Sequence, residues 1–157
     1  DYVVYGLNGV CMVEDIEKMM LKNKEQEYYI LYPINNKKMT IKIPVDNKTM
    51  SIRQLMSKNE VMNLIEFISK KETIQIDDYR KKNQEYKTII RSGNVIDIIK
   101  VINSINLEKD EKASLGKKIN KTEDDILISA KKQLYQEMSI VLDININEVE
   151  DYIIKNI

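Results

Sequence analysis

The feature that most constrains this chain is a change of hydrophobic period close to residue 55. Before it, apolar and polar residues alternate, as in Met39-Thr40-Ile41-Lys42-Ile43. A period of two places every second side chain on one face of a strand. After it, apolar residues recur three and four apart, as in Val61, Leu64, Ile65 and Ile68, or Val95, Ile98, Ile99, Ile102 and Ile105. That spacing builds one buried stripe along a helix. A single segment cannot satisfy both periods, so the chain divides into a β half and an α half. No Gly/Ser-rich linker separates them. The boundary is expected near residue 55, dividing 1–55 from 56–157.

In the first half, Tyr2-Val3-Val4-Tyr5 is β-branched and aromatic and predicts a strand. Gly6-Leu7-Asn8-Gly9 carries turn chemistry. Val10 to Met20 reads as a long strand, Lys22 to Glu25 as a polar break, and Glu27 to Tyr32 as a second strong strand. Asn35 to Lys38 suits a hairpin turn into Met39–Ile43. Pro44 cannot donate to a ladder, so it ends that strand or marks a sheet edge. Four or five short strands predict a small, strongly bent sheet or barrel.

In the second half, Ser57-Lys58-Asn59-Glu60 is a capping box that opens the first helix. Asp77 and Asp78 can cap a second, running to Arg91. Ser92-Gly93-Asn94 breaks it and starts a third, whose apolar stripe ends at Ile105. Glu108 to Lys121 is polar and charged and predicts a loop. Thr122-Glu123-Asp124-Asp125 is expected to cap a fourth helix reaching about Leu142. Asn145-Ile146-Asn147-Glu148 can open a short fifth. The fold class is therefore α+β: a β-domain followed by an all-α domain of about five helices.

Several chemistries are excluded early. The chain has no histidine, which removes the commonest general acid/base and metal ligand. Its one cysteine, Cys11, rules out an intrachain disulfide; with apolar neighbours and no base beside it, it reads as a buried thiol. The paired carboxylates Asp77-Asp78 and Asp124-Asp125 sit at predicted helix starts, where they complement the helix dipole. Asp110-Glu111 suits a solvated surface. No phosphate-cradling glycine motif and no nucleophile elbow occur. No catalytic residue, metal or cofactor is predicted, and the protein is not expected to be an enzyme. No apolar run reaches the ~20 residues of a membrane span, and no signal peptide is visible, so a cytoplasmic monomer is expected.

With 25 basic and 25 acidic residues the formal net charge is zero, so any nucleic-acid signal must be local. The second helix carries one. Among Arg80, Lys81, Lys82, Lys87 and Arg91 stands a single acid, Glu85, and Tyr79 stands at the helix entrance. A basic helix with an exposed aromatic suits phosphate contacts and a groove wedge. It equally suits a solvated face whose tyrosine packs on a neighbour, and these residues alone leave both open.

Four stretches together resemble the CarD family of RNA polymerase-binding regulators. Asp1-Tyr2-Val3-Val4-Tyr5 with Asn8-Gly9-Val10 is similar to its "GD-x-VVY…HGV" start. Glu27-Tyr28-Tyr29-Ile30-Leu31 is similar to its "EYYVL" strand. Thr40-Ile41-Lys42-Ile43-Pro44-Val45-Asp46-Asn47 is similar to its "VPVDN" segment. Tyr79-Arg80-Lys81-Lys82 followed by Ser92-Gly93 is similar to its "W-x-R-R…SGD" pattern. The stretches fall in the family's order and span nearly the whole chain.

The resemblance implies a Tudor-like β-domain that binds the RNA polymerase β subunit, partly by strand pairing. It assigns Met19, Thr40, Ile41, Lys42, Ile43 and Pro44 to that contact. It implies a helical domain on promoter DNA at the upstream edge of the transcription bubble, where a tryptophan wedges into the minor groove. Such a protein stabilises the open complex without reading sequence. The DNA-facing residues would be Tyr79, Arg80, Lys81, Lys82, Lys87 and Arg91.

The departures from the family pattern are specific. Tyr79 stands at the wedge position, Gly6 replaces a proline, and Met19 stands where relatives can carry a base, while Lys42 keeps one. The fourth helix opens with Glu123-Asp124-Asp125 where a basic start is usual. Lys117, Lys118 and Lys121, in a longer preceding loop, are expected to take over its phosphate contact. That acidic start and the zero net charge also suit a rival reading, a protein–protein adaptor on RNA polymerase with no direct DNA role.

Overall fold

Alternation and turn chemistry produce the first of two compact units, Asp1–Leu55; the second is Met56–Ile157. The computed structural model describes residues 1–46 and 52–157, and Asn47 of the VPVDN-like stretch lies outside the described residues. The α+β reading holds. Strands β1 (Tyr2–Tyr5), β2 (Val10–Leu21), β3 (Lys24–Pro33), β4 (Ile41–Pro44) and β5 (Ile52–Gln54) form one sheet in the order β4-β3-β2-β1-β5. Every neighbouring pair is antiparallel.

Local chemistry explains the connections. Gly9, between β1 and β2, has φ 68° and ψ −143°, a conformation open to glycine. Lys22 and Asn23 both have positive φ, 50° and 63°, which is what a two-residue hairpin between β2 and β3 requires. The expected polar break is thus only this turn. β3 starts earlier than Glu27 because Lys24, Glu25 and Gln26 pair with Leu21, Met20 and Met19. β4 starts later, at Ile41. Two successive tight turns occupy the preceding residues: Asn36 N–H donates to Pro33 O and Met39 N–H to Asn36 O, each at 3.1 Å.

A bulge between Val13 and Asp15 decides which side chains share the core face. Val13 pairs with Leu31 and Ile16 with Tyr29. Regular alternation would put Val13 and Ile16 on opposite faces; one extra residue restores them to the same one. The buried cluster on that face is Tyr5, Cys11, Leu31 and Ile43, with Val3, Val13, Tyr29, Ile41 and Ile52 packed against it.

In the second unit the capping box closes reciprocally. Glu60 N–H donates to Ser57 Oγ (3.1 Å) and Ser57 N–H to Glu60 Oε2 (2.7 Å), opening α1 (Lys58–Ser69). Asp78, not Asp77, caps a 3-10 turn, Tyr79–Lys81, that leads into α2 (Lys82–Ser92). Gly93, at φ 73°, ends α2 in the left-handed conformation that suits glycine. Asn94 caps α3 (Val95–Ser114), Asn120 caps α4 (Lys121–Leu142), and α5 is Val149–Lys155. The core includes Val61, Ile65, Ile99, Val101, Ile105, Ala130, Met138 and Val149.

Two expectations are corrected here. Residues 108–114 are not loop: α3 continues through them, helped by an i,i+4 ion pair of Glu108 with Lys112 at 3.3 Å. The cap of α4 is Asn120, whose side chain accepts from Glu123 N–H at 2.8 Å; Thr122 to Asp125 lie inside the helix. Among the described residues no helix is long and apolar enough to cross a membrane.

Candidate nucleic-acid interface

The basic helix does not present one uniform charged face. Its buried residues are Lys82, Tyr86 and Ile90, spaced four apart along the stripe that faces the core. Arg80, Lys81, Lys87 and Arg91 are exposed, with the Arg80 side chain 93% accessible. Lys87 and Arg91 are also four apart and share a flank of α2. Tyr79 is 69% exposed at the head of the helix. Its turn is held from below: Arg80 N–H donates to Asp78 Oδ1 at 3.0 Å.

Lys82 is therefore corrected as a phosphate contact. It is 6% exposed. Its ammonium donates to Tyr79 Oη at 2.9 Å and to Glu108 Oε2 at 3.0 Å, and it pairs with Glu123 Oε1. Tyr79 Oη in turn donates to Glu108 Oε1 at 3.1 Å. Glu123, 2% exposed, points inward to this lysine and cannot repel a phosphate as its place in an acidic helix start suggested. Asp125 is exposed, and Asp124 lies 3.9 Å from Lys109.

The electrostatics of this cluster are settled by its partners. Burial alone would lower the Lys82 pKa; the hydrogen bonds it donates to Glu123, Tyr79 and Glu108, with the Glu123 charge, outweigh it and the pKa is raised. Burial would likewise raise the Glu108 carboxyl, but Lys82 and Lys112 hold it below its ordinary value. A raised lysine loses its stabilising contribution only as pH rises through the folded value. A lowered carboxylate loses it only as pH falls through its folded value. Lys82 and Glu108 therefore stay ionised across the neutral range.

Lys117 and Lys118 are exposed between α3 and α4, and Lys121 is exposed in the first turn of α4. The two ion pairs of Lys82 bring the start of α2, Glu108 of α3 and the start of α4 together, so Lys121 shares that end of the helical unit with Arg80 and Lys81. Arg91 lies roughly 13 Å further along α2 at 1.5 Å per residue.

In the sheet unit, β4 is the end strand, and among the described residues it pairs only with β3. Val45 N–H donates to Glu27 O at 3.0 Å. Alternation of an antiparallel ladder from that bond turns the N–H and C=O of Lys42 outward, away from β3. The Lys42 and Thr40 side chains are exposed. Ile43 is corrected: its side chain is buried in the sheet core and offers a partner no side-chain contact. Ile41 and Pro44 are half-buried. Met19, also half-buried, belongs to the stretch of β2 beyond Val13, which among the described residues pairs only with β3. Glu17 and Pro44 flank Tyr28 on opposite sides, so Met19 lies two residues past the end of β4.

Sequence comparison is consistent along the chain. The CarD-like/TRCF RID domain matches residues 1–56, and the CarD C-terminal domain matches residues 63–154. The chain is also similar to YdeB of Bacillus subtilis (strain 168), a protein named as a candidate transcription factor. The two are 24% identical over 154 residues, covering 97% of this chain and 96% of that protein.

Proposed function

This chain belongs to the CarD family and is a transcription regulator, and from that premise we propose that it bridges RNA polymerase and promoter DNA to stabilise the open complex. The sheet unit docks on the polymerase β subunit by adding a strand at the open edge of β4, with Thr40, Ile41, Lys42 and Pro44 at the contact and Met19 beside it. The helical unit lies on DNA at the upstream fork. Tyr79 enters the minor groove, and Arg80, Lys81, Lys87, Arg91, Lys117, Lys118 and Lys121 neutralise phosphates.

The observation that carries this reading is Tyr79, a largely exposed aromatic at the head of a helix that also exposes Lys87 and Arg91, next to exposed Arg80 and Lys81. Buried, it would be core; exposed and held by a capped turn, it suits an unstacked or terminal base step. Contacts to phosphates carry no sequence information, so binding is sequence-independent. Isolated DNA is bound weakly, on the order of 10⁻⁴–10⁻⁶ M, as for other non-specific contacts. Tethering on polymerase raises the local DNA concentration and supplies the rest.

Tyr79→Ala tests it. The substitution should shorten open-complex lifetime at a single promoter while leaving polymerase binding intact. Loss of both, or of neither, refutes the division of labour. The exposed Asp125 at the start of α4 favours the adaptor reading. A footprint of polymerase–promoter complexes that does not change on adding the protein would decide for it.

A further inference from the structure

We propose that Lys82, Glu108 and Glu123 are positioning residues that hold the Tyr79 ring in one orientation, and that the phenol hydroxyl is the handle they grip. The inference rests on the reading of Tyr79 as the DNA-facing wedge and assigns it a support that the basic sequence around it conceals.

A buried ammonium is costly unless all its donors are used. Lys82 has three N–H donors, and it finds Tyr79, Glu108 and Glu123. Lys112 adds a second cation to Glu108. For stability alone, apolar side chains in place of Lys82, Glu108 and Glu123 together would serve as well as this ion-paired cluster. What an apolar side chain could not do is hold a hydroxyl. Tyr79 Oη accepts from Lys82 and donates to Glu108, so both hydrogen-bonding capacities of the phenol are used by ionised groups. The same ammonium lies 4.1 Å from the ring centre, within cation–π range. At the other end, the backbone of Tyr79 is set by the Asp78 cap. The side chain is thus fixed at its root and its tip, although most of its surface faces solvent.

An exposed aromatic normally samples several rotamers and loses that freedom on binding. One already fixed loses less, so its complex forms and lasts better. An indole has a donor but no acceptor and could not take the Lys82 bond. The tyrosine is therefore matched to the lysine three residues on, and the pair is one device.

The test uses the full chain with polymerase and one promoter. Tyr79→Phe removes only the hydroxyl; Lys82→Met removes the clamp and keeps the volume; Tyr79→Ala removes the ring. Far-UV circular dichroism checks folding. Tyr79→Phe and Lys82→Met should each shorten open-complex lifetime by a few-fold to about tenfold. The double variant should be no worse than either single one. Polymerase affinity should not move. In the free protein, Lys82→Met should turn a rigid Tyr79 ring, read by aromatic carbon relaxation, into a mobile one. If Lys82→Met fails to fold, Tyr79→Phe alone decides.

A wild-type lifetime for Tyr79→Phe beside a short one for Tyr79→Ala overturns the clamp and leaves the wedge standing. A Tyr79 ring that stays rigid in Lys82→Met overturns it too. A wild-type lifetime for Tyr79→Ala overturns the wedge and this inference with it.

Discussion

Lys82 carries the same charge as its neighbours and does the opposite job. Its spacing from Tyr86 and Ile90 is legible in the sequence and places it on the apolar stripe of α2; reading the basic run as one unit hides this. Its partners were not legible, because Glu108 and Glu123 come from two other helices and nothing local links them to α2. Cys11 shows the reverse case, in which an apolar context was enough. The thiol is fully buried and burial pushes its pKa up. A water-soluble thiol reagent should leave the folded protein unmodified and label Cys11 completely in denaturant. Rapid labelling of the native protein would mean that the sheet core opens.

At the scale of elements, period and capping chemistry located α1, the long strands and the end of α2. Boundaries failed where polar composition is compatible with two states. Residues 108–114 look like loop because they lack an apolar stripe, yet the helix continues through them with an i,i+4 ion pair between Glu108 and Lys112. The bulge beyond Val13 was equally invisible, since Glu14 has no special conformational signature. Pro44, in contrast, marked β4 as an edge. The edge makes its own prediction. Lys42→Pro deletes an outward N–H without touching the ladder to β3, a change edge strands tolerate. It should weaken binding to the polymerase β subunit while leaving far-UV circular dichroism unchanged. Undiminished binding would remove strand addition through Lys42 from the proposal.

At the scale of the whole molecule, zero net charge hides the exposed basic residues at one end of the helical unit. The period change near residue 55 was visible without knowing any relative. The partners were not, since they depend on the resemblance and no spacing of residues encodes them. Phosphate contacts leave a measurable trace in the salt dependence of DNA affinity, near 0.9 per contact on duplex. Removing Lys87 and Arg91 together should lower that slope by about 1–2. Lys82→Met should leave it unchanged, because that charge never faces DNA. An equal loss for both would mean that Lys82 turns outward on binding.

The outer edge of β4, unpaired among the described residues, has a cost when no partner is bound. A strand with unpaired amides can recruit the same edge of another copy and start aggregation. Lys42 sets a charge at the middle of that edge and Pro44 removes a donor at its end, two devices that discourage a second identical strand. The residues that would recognise polymerase thus also discourage pairing between two copies of this edge.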